Sequence, residues 1–194
     1  MLNAVLSSVG RALRPIRPGL ASLAGARLGT GARLRTGASI MVNSPSFNGR
    51  MTARLTADGE GVSPALDWSG VPAQTRSVVL LVQDADIPAP RPLTHLILYG
   101  ISPALNHLAE GEMRLRLRGP SPRGYRYGRN GFGRTGWLPP SPLPGHGAHR
   151  YAFQVFALDT EIRFSIPPGR TSLIRAMADH VVDFGQVIGT YERP

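Results

Sequence analysis

The chain of 194 residues, 42% hydrophobic and 18% charged, is long enough for one domain with a complete apolar core plus a tail. It has no cysteine, which excludes disulfides and thiolate chemistry, and no apolar run approaches the roughly 20 residues that span a bilayer. Of the net charge of +10, +8 lies before Asp58: all 22 basic residues are arginine, eight of them precede Asp58, and Asp58 is the first acid. The remainder is nearly neutral, so no nucleic acid is expected as a partner.

Residues 1–17 carry an amphipathic helical pattern. Leu2, Val5, Leu6, Val9, Leu13 and Ile16 fall on one stripe at 3.6 spacing, while Asn3, Ser7, Arg11 and Arg14 point elsewhere. Pro15 and Pro18 discourage continuation. The stripe is expected to dock on the body or on a second subunit, with an anionic membrane surface as the alternative for residues 1–17. Residues 19–37 read as a linker without period, which divides the chain into a basic N-terminal segment 1–38 and a domain 39–194. A cytoplasmic location is expected. Export is the alternative, because Arg11, Arg14 and Arg17 precede a short apolar segment, Gly19–Ala26.

From Ser39 onward the pattern is β. Ile40-Met41-Val42 opens it and Asp58-Gly59-Glu60-Gly61 makes a turn. Ser77–Gln83, His95–Ile101 and Tyr151–Leu158 are apolar runs suited to strands buried on both faces. Residues 119–148, rich in Gly, Pro and Arg, predict a long ordered loop, and the arginine- and tyrosine-bearing stretch 113–127 reads as solvated strand and loop. A helix follows Pro167-Pro168-Gly169, capped by Thr171 or Ser172, with Leu173, Ile174, Met177, Val181 and Val182 as its apolar face and Gly185 as its stop. A last short strand covers Ile188–Tyr191.

The candidate chemistry sits at strand ends. Asp84 and Asp86 follow the first long strand on one side of the chain, and two carboxylates this close need a cation or a donor between them. An ordinary surface turn is the competing reading. His95 opens the second strand, and a histidine there is also compatible with a purely structural role. His149 precedes the third, with Tyr151 on the same face and Arg150 directed away into a structural ion pair. Gly145 and Gly147 leave backbone amides free to approach an anion. His146 and His149 have no third ligand at metal spacing, so neither a metal nor a cofactor is expected. Gly131–Gly136 matches a dinucleotide fingerprint only formally, because the prolines after it forbid the helix. No serine sits in a nucleophile elbow.

Several segments in order resemble the phosphatidylethanolamine-binding protein family, in its bacterial YbhB/YbcL (Raf-kinase-inhibitor-like) branch: Ser44-Pro45-Ser46-Phe47, Asp58-Gly59 through Trp68, Asp84–Pro88 as "DxDxP", His95, Gly128–Gly133, Gly145–Tyr151 as "GxxxHRY", and a C-terminal block ending Gly189-Thr190-Tyr191. The resemblance covers about Ser44 to Arg193. It implies a mostly β fold of two packed antiparallel sheets with a few peripheral helices, and a cis Ile87–Pro88 peptide. It also implies a small anion pocket formed by Asp84, Asp86, His95, His149 and Tyr151, with Pro140, Pro142 and Gly145 as a wall. Leu143 and Leu96 depart from the family's proline and aromatic. The expected function is non-catalytic binding of phosphate or a phosphorylated, phosphoethanolamine-like head group. The alternatives are a hydrolase using an Asp–His pair and a regulatory inhibitor of a kinase or protease acting through the pocket rim. A homodimer and a protein partner stay open.

Overall fold

The computed structural model describes residues 2–28, 40–114 and 120–193. Residues 29–39, which include the end of the expected linker, and 115–119 of the arginine-rich stretch lie outside them. Among the described residues, eight strands form two antiparallel sheets. The smaller joins β1 (Met41–Asn43), β2 (Leu66–Ser69) and β5 (His107–Leu108) in the order β1-β2-β5. The larger joins β3 (Ser77–Asp84), β4 (Leu93–Ile101), β6 (Arg126–Tyr127), β7 (His149–Leu158) and β8 (Val181–Tyr191) in the order β6-β4-β3-β7-β8.

The three apolar runs become β3, β4 and β7, the centre of the larger sheet. Alternation along β3 explains why the run is continuous: Val78, Leu80 and Val82 enter the core between the sheets, with Leu66, Trp68 and Phe153. Val79 and Leu81 face outward, under Leu173 and Met177 of helix α3 (Arg170–Met177). Both faces are therefore covered, as such a run requires.

Three expectations change. Helix α3 ends at Met177 and is capped by Gly169 without a side-chain bond. Val181 and Val182 belong instead to β8, and Gly185 lies within that strand, where a Cβ would come 1.8 Å from the Ile40 carbonyl oxygen. Residues Leu20–Ser22 and Ala24–Leu28 (α2), read as linker, pack on the outer face of the large sheet, with Leu23 and Ala24 buried. Two buried glutamines hold α2 there: Ala24 N–H donates to Gln83 Oε1 (2.9 Å) and Gly25 N–H to Gln154 Oε1 (2.7 Å). Thirdly, the Ile87–Pro88 peptide is trans. Ala89 N–H closes a three-residue turn onto the Ile87 carbonyl at 2.7 Å, so the chain reverses around Pro88 without a cis bond.

Helix α1 (Leu2–Leu13) lies on the body, but only part of its stripe is covered. Val5, Val9 and Ile16 are 60%, 45% and 47% exposed, while Gly10 is buried and Leu6 and Leu13 are half-buried. Among the described residues no helix is long and apolar enough to cross a membrane.

Candidate functional site

Strand pairing brings the chemistry together. Asp84 ends β3, opposite Leu93 of β4 on one side and Tyr151 of β7 on the other. His95 arrives by a β-bulge: Val82 pairs with Leu96 and Gln83 with Thr94, so His95 has no partner in the ladder. A bulge re-aims a side chain. Here it lets His95 lie against Tyr151 (ring centroids 5.2 Å apart) and Trp137 (6.2 Å), on the inter-sheet side that Leu96 also faces.

A cavity of about 440 Å³ opens at this end, with Asp84, His95 and His149 deep in it, Pro142 and Leu143 in its wall, and Phe132, 69% exposed, at the mouth. Leu6 of α1 and Arg193 also line it. The Arg193 guanidinium is held against Asp58, with Nε 2.8 Å from Oδ1. A larger cleft of about 610 Å³ lies at the opposite end of the sheet, beside Ser77, Tyr99 and Arg163, and no histidine lines it.

Beneath the cavity runs a chain of buried polar groups. The Asp84 carboxylate accepts from His149 Nδ1 at 2.8 Å, His149 Nε2 lies 2.8 Å from His146 Nδ1, and His146 Nε2 donates to the Leu13 carbonyl at 3.0 Å. A carboxylate and a carbonyl at the two ends, with one proton shared between the rings, require three N–H protons on two imidazoles. One ring is thus cationic, and Asp84 balances it. Burial, reinforced by the charges of His149 and Arg17, pushes the His146 pKa down, and the Asp84 carboxylate adjoins the His149 ring, so the extra proton of the pair is held on the side nearer Asp84.

His95 is arranged differently. Its Nδ1–H donates to the Leu138 carbonyl at 2.7 Å, and its Nε2 is buried without a hydrogen-bond partner. Burial pushes its pKa down despite the nearby Asp84, so the ring is neutral and Nε2 presents a lone pair. Tyr151 OH, buried between the His95 and His149 rings, is likewise unpartnered. Burial and the Asp84 and Asp86 charges push its pKa up, which keeps it a donor.

The structure therefore gathers Asp84, His95, Pro142 and His149 at the cavity and sets Tyr151 directly behind. Asp86 and Gly145 lie elsewhere. Asp86 is fully buried in a bidentate pair with Arg150 (Nε–Oδ2 2.8 Å, Nη2–Oδ1 2.7 Å) and lies 3.4 Å from Arg17. This is the ion pair expected of Arg150, and it consumes the second carboxylate. Gly145 lies beneath Ser7 of α1. Sequence reasoning missed His146 as a partner of His149, although their spacing of three drew attention as a metal pattern. It also missed Leu6 and Arg193, which nothing in the sequence connects to the site.

The family model for phosphatidylethanolamine-binding proteins matches residues 43–192. A UPF0098 protein of Methanothermobacter thermautotrophicus is 35% identical over 150 residues, spanning 76% of this chain and 95% of that protein. One from Aquifex aeolicus is 37% identical over 140 residues, 71% of this chain and 78% of that one. Among solved structures, Escherichia coli YbcL, described as a member of the mammalian PEBP family, is similar with a TM-score of 0.71 at 28% identity, over 81% of this chain and all of its own. A PEBP homologue from Chlamydia trachomatis reaches a TM-score of 0.70 at 30% identity, again over 81% of this chain and all of its own.

Proposed function

The chain belongs to the phosphatidylethanolamine-binding protein family, and we propose on that premise that its pocket binds a small phosphorylated group, either inorganic phosphate or the head group of a phosphoester. The observation that carries this reading is the buried, unpartnered Nε2 of His95 in the cavity. An unsatisfied buried polar atom is costly, and a ligand that bonds to it removes the cost. A neutral His95 accepts, so the fitting partner is a P–OH group of the monoanion. Tyr151 OH donates to a second phosphate oxygen, and the extra proton of the His146–His149 pair supplies charge. Asp84 keeps lone pairs beyond the two bonds it accepts, from Asp86 N–H and His149, enough for a ligand ammonium.

Titration calorimetry with inorganic phosphate and phosphoethanolamine tests this. His95→Ala should weaken binding by about 1.5–3 kcal/mol and Tyr151→Phe by about 1 kcal/mol. Because His95 accepts from the protonated ligand, affinity for phosphoethanolamine should rise as pH falls from 8 toward 6, near the second ionisation of a phosphomonoester at about 6. Unchanged affinity in both variants would remove the reading.

A second reading is favoured by one observation, the Asp84–His149 hydrogen bond at 2.8 Å, which orients a histidine as hydrolases do. The nitrogen that would act as base, Nε2, holds a proton against His146, so it serves as a base only after that proton and that contact are lost. Ester hydrolysis that disappears in His149→Ala and increases in His146→Ala would support catalysis over binding.

A further inference from the structure

We propose that residues 2–19 form a movable wall of this pocket, and that His146 couples the docking of this wall to anion binding at His149. The proposal rests on the phosphate reading above and specifies its control. The segment precedes residues 43–192, the span matched by the family model, so it is a feature of this chain beyond the matched domain.

The contact between α1 and the loop at 144–148 is close and specific. A Cβ on Gly10 would lie 1.9 Å from the Pro144 carbonyl oxygen, and one on Gly145 would lie 2.4 Å from the Ser7 oxygen, so glycine on both sides permits the backbones to touch. The approach carries Leu6 into the cavity wall. What holds the segment is polar. Arg14 Nε donates to the Gly145 carbonyl (2.8 Å), Arg17 donates to the carbonyls of His146 (2.6 Å) and Ala148 (2.8 Å), and Gly19 N–H donates to the Ala85 carbonyl (2.8 Å). Val5, Val9 and Ile16 of the apolar stripe face outward. A segment tied down by exposed hydrogen bonds with little apolar burial opens at low cost.

His146 joins this wall to the site. One ring nitrogen holds the Leu13 carbonyl and the other takes the Nε2–H of His149. The groups facing it are His149 with Asp84 behind, Arg17, and the carbonyl of Leu13. While the wall is docked, both nitrogens of His149 are engaged and none is offered to a ligand. An anion that accepts the His149 Nε2–H displaces His146, and the latch on Leu13 loses its inner partner. The two events therefore compete, and by linkage each weakens the other to the same extent.

Hydrogen–deuterium exchange of the full chain, with and without inorganic phosphate and alongside calorimetry, tests the coupling. Phosphate should speed exchange across residues 10–19 severalfold. Gly10→Val should open the segment without phosphate and raise phosphate affinity at least threefold, as should His146→Ala. Should Gly10→Val fail to fold, Arg14→Gln removes an exposed anchor and should act in the same direction. Phosphate that binds the wild type while exchange and the variants' affinities stay unchanged would overturn the coupling and leave the phosphate reading intact. Phosphate that binds only the opened variants would support a wall that closes the site. Absence of binding in every variant would defeat the phosphate reading, and the coupling with it.

Discussion

Asp84 and Asp86 show how far two similar residues diverge once their partners are known. Burial opposes ionisation of Asp86, but the Arg150 side chain and backbone N–H, with the Arg17 charge, hold its carboxyl below the usual range. Asp86→Asn leaves Arg150 without its counter-charge. A fully buried pair broken in this way costs about 3–5 kcal/mol, and because Arg150 reaches water the loss expected in urea denaturation is nearer 2 kcal/mol. The sequence made both aspartates candidates by type and period on one side of the chain and directed Arg150 away from His149 and Tyr151; in the structure Asp86 meets Arg150 while Asp84 meets His149, so the two carboxylates part. It carried no sign of which carboxylate a ligand meets, because that depends on a histidine 65 positions along the chain.

Among the elements, β3, β4 and β7 were legible because nearly every position is apolar and buried on both faces. The start of β8 was not: Asp183, Gly185 and Gln186 interrupt the apolar pattern, and Val181 and Val182 fit a helical face as well as a strand. The bulge at His95 left no signature either, since it arises from the register between two strands. Helix α2 was hidden for another reason. It is five residues long and owes its place to Gln83 and Gln154, distant residues whose side chains meet its first amides. Gln154→Leu would leave Gly25 N–H without its acceptor, at a cost of about 1–3 kcal/mol. The expected result is a lower melting temperature with faster amide exchange confined to residues 24–28.

For the molecule as a whole, the shifted groups set the direction of pH dependence. His95 and His146 have folded pKa values below the ordinary histidine value, so the unfolded chain takes up protons first as pH falls. Their contribution is complete above about pH 6.5 and declines below it. Asp58, Asp86 and Glu110 are depressed by arginine partners. Their contribution is present above about pH 4 and is lost as pH falls through the folded values. Melting temperature should thus fall in two stages on acidification, and His95→Phe should flatten the upper one. A single stage near pH 4, unchanged in that variant, would show that His95 is not held neutral by the fold.

The order β6-β4-β3-β7-β8 also has a consequence for the way the chain is made. Asp84 and His95 leave the ribosome together, but β3 waits for β7 before its second edge is paired. Until then a largely apolar strand has an open side, a state prone to wrong association. Long-range pairing of this kind is slow. The pocket cannot exist before that step, so a ligand that needs Asp84 and His149 together recognises only finished chains. If the pocket takes phosphate as proposed, its affinity should appear during refolding no earlier than the pairing of β3 with β7.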